Sequence, residues 1–476
     1  TYQSTSNKLN QVYDTANNPT SLLGDFHYAG TKGSFDYLYD GNGNQVIDSN
    51  KSISLIHYNY LNLPDSIVFA GKGYIKYVYD AGGTKLQKIT VDNVANKGTF
   101  TTYVAGFVYQ RTTTPPTGGG GTDTLQFVRQ EEGRVRWAWH KYTTGATAYK
   151  YEYDFFERDN LGNTRVVLTQ EHDTTNYLAS METVYRTTEA QLFSNITNTC
   201  YPWTSVPGSS GIPSGQKLAI TNPNDSVAKV DFNGASGYKT GPGLLLKVMS
   251  GDTVSMAVQS YYNTNSITTT NSSFNDVLNS FAAGIVATPT GAAKGTLANY
   301  IAGSSPVYSA VSSFLSSKDP PPPSGYPKAY LNWILLDDQF NYVSGSSGSV
   351  AAASATYPAA TLNTVAPGAP LTIPKNGYLY VWVSNETQGW DVFFDNLSVQ
   401  HKQGPLLEEN HYYPFGLGME GLSDKAIKTN YAENKYRYNS GSELQNKEFS
   451  DGTGWEMYET QYRGFDPQIG RFGQID

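Results

Sequence analysis

The 476-residue chain has one cysteine, Cys200, and so cannot close an internal disulfide; its stability has to come from packing. Cys200 stands beside Tyr201-Pro202-Trp203 with no adjacent base and reads as a packing residue. Charge is also scarce: 33 Lys+Arg against 41 Asp+Glu leave a formal net charge of −8, and no Lys/Arg block of useful length occurs, which excludes a partner that is bound by tracking phosphates. No run of eighteen apolar residues exists, so no helical membrane span is expected, and the opening TYQSTSNKLNQ lacks the charged-then-apolar pattern of a leader, as if the chain began in mid-pattern. The six histidines are dispersed, without an HxxxH spacing or a cysteine partner, so no metal centre is expected from them. There is no G-x-S-x-G elbow and no Gly loop placed to cradle a phosphate; the GSSG strings at Gly208 and Gly345 read as flexible loops, and no cofactor is expected.

What the chain does contain is tyrosine (37), glycine (46) and abundant Ser, Thr and Asn. That balance belongs to turn-rich strands, because a tyrosine ring packs across a pleated surface while its hydroxyl stays wet or bonded. The expected class is all-β. One short unit recurs over the first 170 residues: an alternating strand, an aspartate, then a turn. It is clearest at Tyr37-Leu38-Tyr39-Asp40 before Gly41-Asn42-Gly43-Asn44 and at Tyr77-Val78-Tyr79-Asp80 before Ala81-Gly82-Gly83, where glycine and asparagine accept the turn conformation and the Asp side chain bonds the turn amides.

From about Leu178 the texture shifts to longer apolar strands at Gly243–Val248, Val254–Tyr262, Ala329–Asp337, Tyr378–Ser384 and Val392–Val399. Apolar residues at helical spacing over 274–286 and 297–315 are expected to form helices packed on a sandwich, ended by the prolines at 320–323. The expected division is a hairpin array over 1–177, an inserted jelly-roll-like β-sandwich over 178–402, and a return to the first texture over 403–476.

Several motifs carry a family resemblance. The Tyr-Asp turn units, then Asp159-Asn160-Leu161-Gly162-Asn163-Thr164-Arg165, resemble RHS/YD-repeat proteins of the Bacteroidetes type. Tyr412-Tyr413-Pro414-Phe415-Gly416, Lys435-Tyr436-Arg437-Tyr438-Asn439 with Glu443-Leu444-Gln445, and Asp466-Pro467-Gln468-Ile469-Gly470-Arg471-Phe472 resemble the opening of an RHS-associated core. Asn160 stands where the family usually has His, and Tyr438-Asn439-Ser440-Gly441-Ser442-Glu443 lacks the family's usual Lys. The resemblance implies a spiralling hairpin sheet forming a partial shell. It also implies a self-cleaving aspartate site further downstream, toward which Asp466 and Asp476 are the only residues that carry over.

The residue-by-residue reading is blander. Asp466 before Pro467 is ordinary turn chemistry, and Asp466 with Arg471 is expected to form a structural fork sealing the core. Tyr380, Trp382 and Trp390 with Asp391 and Asp395 supply ring faces and polar edges suited to a carbohydrate, with core packing as the plain alternative. Asp-Ser/Thr-apolar triplets place candidate O-glycosylation at Thr15, Ser66, Thr124, Ser226 and Thr253, which would accompany export. The function expected is a non-enzymatic structural module of a secreted or cell-surface protein, acting in adhesion, contact or assembly. Its expected partners are other chains or copies of itself, with cell-surface glycans as a further class. The shell of a self-cleaving toxin around a C-terminal effector, and a carbohydrate-binding or carbohydrate-processing sandwich, are the alternatives.

Overall fold

The computed structural model describes residues 1–18, 26, 28, 32–141, 147–206, 225–231, 238–268, 305–317, 326–350, 363–366, 368–420, 422–428, 431–439 and 441–474. The expected helix at 274–286, the start of that at 297–315, the prolines at 320–323, the GSSG string at Gly208 and Asp476 lie outside these residues. Two compact units emerge, one formed by 1–171 with 406–476 and the other by 172–405. The unit boundaries therefore fall at 171/172 and 405/406 where the sequence suggested 177/178 and 402/403, and the last segment joins the first unit.

The first unit is built on hairpins. Strands β1 (Tyr37–Tyr39), β2 (Gln45–Asp48), β3 (Ile53–Tyr58), β4 (Pro64–Phe69), β5 (Gly73–Tyr79), β6 (Lys85–Asp92), β7 (Lys97–Val104), β8 (Phe107–Thr113), β9 (Thr124–Gln130), β10 (Gly133–Lys141), β11 (Thr147–Arg158) and β12 (Thr164–Thr169) pair antiparallel, each with the next. Five of the loops involved here and in the second unit share one conformation, whose first residue is Asp40, Asn59, Asp80, Asp159 or Asp337. Its side chain accepts the N–H four residues on, at 2.8 to 3.1 Å, and its fourth residue has φ between 58° and 87°. Glycine holds that fourth place at Gly43, Gly83 and Gly162, as a left-handed backbone favours.

The second unit contains β13 (Thr174–Ala179), helix α1 (Arg186–Glu189), β14 (Phe193–Ser194), helix α2 (Ile196–Thr199), β15 (Cys200–Pro202), β16 (Ser226–Asp231), β17 (Thr240–Val248) and β18 (Thr253–Thr268). It continues through helix α3 (Pro306–Ser317), β19 (Ala329–Asp337), β20 (Tyr342–Ser349), β21 (Asn363–Val365), β22 (Leu371–Thr372), β23 (Gly377–Asn385) and β24 (Gln388–Lys402). Among the described residues these form a sheet of β15-β16-β24-β18-β21 with β13 and β22 attached, and a second sheet of β14-β17-β23-β19-β20. Alternate residues of both sheets fill one apolar core: Val230, Val254, Val258, Val392 and Phe394 from the first, Leu244, Leu246, Leu331, Leu335, Val381 and Val383 from the second. This is the expected antiparallel sandwich.

The GSSG string at Gly345 is not a loop. It lies inside β20 opposite Ile334, and a side chain on Gly345 would come within 2.6 Å of the Phe314 ring of α3. Small residues are used there so that the helix can lie against the sheet. Phe314 in turn sits 5.5 Å from Trp382, edge to face.

The chain then returns to the first unit. β25 (Leu406–Glu409) pairs antiparallel with β12, Leu168 opposite Leu406, and β26 (Asp424–Lys425) follows it, completing a fourteen-stranded sheet. A final small sheet of β27 (Tyr436–Tyr438), β28 (Ser442–Gln445), β29 (Met457–Glu459), β30 (Gly464–Asp466) and β31 (Arg471–Phe472) packs its Phe449, Trp455 and Met457 against Ile53, Ile56, Ile67, Phe69, Ile75 and Tyr77 of the large sheet.

Candidate functional site

Four motif groups that carry the resemblance interlock in the first unit. Asp159 holds its loop so that the Asn163 side chain bonds back to it at 2.9 Å while accepting the Asn439 N–H at 2.9 Å. Thr164 donates its hydroxyl to the Tyr436 carbonyl at 3.1 Å, and the Tyr412 hydroxyl donates to the Thr164 carbonyl at 2.7 Å. Tyr458 donates to the Gly416 carbonyl at 3.0 Å, and the Phe415 ring lies 3.1 Å from where a side chain on Gly470 would begin. These glycines are sites of close ring-to-backbone approach.

Below that junction the closing sheet meets β2 to β7 along a seam of opposite charges, in which Lys51, Lys72, Lys85 and Lys88 of the large sheet face carboxylates of the closing segment. Lys51 reaches Asp466 at 2.5 Å, Lys85 reaches Glu443 at 2.7 Å and Glu459 at 2.5 Å, and Lys88 reaches Glu448 at 3.2 Å. At the exposed edge Lys72 pairs with Asp451 at 2.6 Å. Tyr103 donates to Glu443 at 3.1 Å, and Gln445 accepts from Lys88 at 2.8 Å and donates to Glu459 at 2.8 Å. Burial alone would raise Glu443, but Lys85 and Lys88 outweigh it and hold the carboxyl at about 2. Glu459 shares Lys85 yet is shifted upward, because burial and the Glu443 charge together exceed the lysine's pull. Burial, with Glu448 adding to it, pushes Glu456 up to about 7. Burial likewise raises Asp48 to about 6 against the opposing pull of Lys51, with the Asp466 charge contributing.

The expected Asp466–Arg471 fork is therefore replaced. The two residues are ladder partners, but Asp466 is buried on Lys51 and accepts the Gln468 N–H at 2.9 Å, whereas Arg471 is exposed and donates to the Tyr2 hydroxyl at 2.5 Å.

The expected carbohydrate platform is not formed by its five residues. Tyr380 and Trp382 are each 1% exposed and stack on one another at 4.9 Å, with Phe314 across Trp382. Trp390 lies in the intersheet core against Tyr262, and Asp391 and Asp395 are buried. Both faces of β23 are covered, so the plain reading of these residues as packing holds for the rings. Of the candidate glycosylation positions, Thr15 and Thr124 are exposed and Ser66 and Thr253 half-buried. Ser226 is buried and donates to Asp225 while accepting from Arg186, which leaves its hydroxyl no room for a sugar.

A row of exposed aromatics lies elsewhere, on one face of β10 and β11. Trp139, Tyr149, Tyr151, Tyr153 and Phe155 are between 38% and 56% exposed. Trp137 stacks on Tyr149 at 5.6 Å and packs on Tyr151 at 4.5 Å. Alternation puts Arg134, Arg136, Glu152 and Asp154 on the other face, where they are buried and both arginines pair with Asp154. The period-2 tyrosines of Tyr149 to Asp154 were legible, but not that their aromatic side is the one facing water.

No family model matches the chain, and no curated protein matches it. Solved structures similar to it include those described as the crystal structures of TcdB2-TccC3-Cdc42 and of TcdB2-TccC3, at 13% and 14% identity, each with a TM-score of 0.22. In both, the match covers 29% of this chain and 7% of the other chain.

Proposed function

We propose that the chain is a non-catalytic structural module of an RHS/YD-type protein, secreted or held at the cell surface, that works in contact and adhesion. The observation that carries this reading is the exposed aromatic row of β10 and β11: a stripe of rings and tyrosine hydroxyls on a sheet whose opposite face is locked by ion pairs. Rings of this kind give large contact area at low conformational cost, whether the partner is another protein chain or a glycan. The motif resemblance supplies the family, and the seam at Asp466 supports a fixed, structural role for that residue, since Lys51 and backbone amides occupy its oxygens.

The test is adhesion of the purified chain to intact cells and to immobilised glycans, with Tyr151→Ala/Tyr153→Ala beside it. The reading expects adhesion that the double variant loses while keeping its thermal midpoint. Equal adhesion by both, or a time-dependent loss of mass from the wild type that Asp466→Asn prevents, overturns it.

A further inference from the structure

Lys32 precedes β1 in the first unit, and its side chain is only 6% exposed. Its Nζ stands over the rings of Tyr28, Phe26 and Tyr13, at 4.3, 5.2 and 5.4 Å from their centroids. Among the described residues Nζ makes two hydrogen bonds, to Asp36 Oδ2 at 2.5 Å and to the side-chain oxygen of Asn50 at 2.9 Å. The Asp36 side chain is 3% exposed, and the same Oδ2 accepts the Val12 N–H at 3.0 Å. The Asn50 amide nitrogen donates to the Tyr37 hydroxyl at 3.2 Å, so the carboxamide turns its oxygen to Lys32 and its nitrogen to Tyr37.

Backbone contacts hold the three groups together. The Asp36 N–H donates to the Asn10 carbonyl at 2.8 Å, and the Asp36 carbonyl accepts the Ser49 N–H at 2.8 Å. Asp48 closes the turn that carries Asn50 by accepting the Asn50 and Lys51 N–H groups at 3.1 and 3.2 Å. A buried lysine–aspartate pair alone is a structural ion pair, as at Lys51 and Asp466 in the seam. Here a carboxamide is added to the pair, and rings enclose it. Amide exchange needs that set: an amine kept from water is a nucleophile, a carboxylate at hydrogen-bond distance removes its proton, and a fixed geometry replaces the chance encounter.

We propose that Lys32 and Asn50 join in an intramolecular isopeptide bond, with Asp36 as the proton carrier. Asp36 takes a proton from the Lys32 ammonium, and the freed lone pair of Nζ attacks Asn50 Cγ, one bond from the oxygen that Nζ contacts. The carbonyl electron pair moves onto that oxygen and returns as the Cγ–Nδ2 bond breaks. Both protons lost by Nζ pass through Asp36 to Nδ2, which leaves as ammonium, so Asp36 ends as it began and no oxidant is consumed. The new amide ties residue 32 to the turn between β2 and β3, across β1 and β2 and beside Lys51 of the seam. It is a crosslink for a chain whose single cysteine cannot supply one.

The experiment is intact-mass measurement of the folded full chain, with tryptic peptide mapping and thermal unfolding, for the wild type, Lys32→Arg and Asp36→Asn. The wild type is expected to be lighter than its sequence by one ammonia, to resist cleavage after position 32, and to yield a branched peptide joining positions 32 and 50. Both variants should keep their full mass. Lys32→Arg retains the ion pair, so it carries the comparison if Asp36→Asn does not fold; it should be cut after position 32 and melt below the wild type. A wild type at full sequence mass overturns the proposal. So does ammonia lost by ring closure at Asn42-Gly43 in place of the branched peptide, or the branched peptide appearing undiminished in folded Asp36→Asn.

Discussion

Lys85 shows most sharply what a single residue does in this fold. Its ammonium lies between Glu443 and Glu459 and 4.4 Å from the Tyr103 ring centroid, and its side chain is 13% exposed. Removing one partner of a buried pair leaves an uncompensated charge, so Lys85→Ala is expected to cost about 3–5 kcal/mol. Lys72→Ala breaks a pair at the exposed edge and is expected to cost about 0–1 kcal/mol. Chemical denaturation of the two variants checks the contrast, and similar losses would refute the burial argument. None of this was legible in the sequence, where Glu443 read only as part of a motif. Period-2 alternation says which residues share a face, but both faces of β6 carry polar side chains, and only the arrival of the closing sheet decides which is buried.

At the scale of elements, hairpins were the most legible feature, because an Asp or Asn followed three residues later by Gly or Asn is a local instruction. The exception is Phe340, which takes the same left-handed place with φ 62° and is held by stacking 4.8 Å from the Tyr378 ring. No sequence rule would put a phenylalanine there. The closing sheet has its own pH signature. Glu443, held at about 2, stabilises the fold above its unfolded value of about 4.3, and that contribution is lost as pH falls toward 2. Glu456 and Asp48, raised to about 7 and about 6, act in the opposite sense: their folded forms hold a proton more tightly, so stability is greatest below about pH 4 and is lost as pH rises through 6 to 7. The wild-type Tm is therefore expected to decline from about pH 5 to pH 8. Glu456→Gln should flatten that decline, and parallel wild-type and variant curves in a calorimetric pH series would show that Glu456 plays no such part.

For the molecule as a whole, all-β class and the presence of an inserted sandwich were readable from composition and strand texture, whereas its limits were missed by a few residues at each end. Most of β13 lay within the expected hairpin array, yet it pairs with β24, Thr174 opposite Lys402. Because β12 and β25 are direct ladder partners, the two ends of the insertion leave the first unit from adjacent strands. Replacing 172–405 by a short glycine-rich turn between Glu171 and Leu406 is expected to leave a folded first unit with a cooperative melt. Circular dichroism and calorimetry of that deletion decide it, and a chain without a melting transition would mean that the insertion is required for folding.

The seam also orders events in time. Lys51, Lys85 and Lys88 are made early, and the carboxylates that neutralise them lie 415, 358 and 360 residues further along the chain. While the polypeptide is being synthesised, the hairpins form from neighbouring segments, but these three ammonium groups lack those carboxylate partners, and the apolar patch of the sheet its cover, until residues 443–466 emerge. Closure is consequently the slow, non-local step of folding, and a ribosome that stalls before residue 443 releases a sheet with that face still open to association.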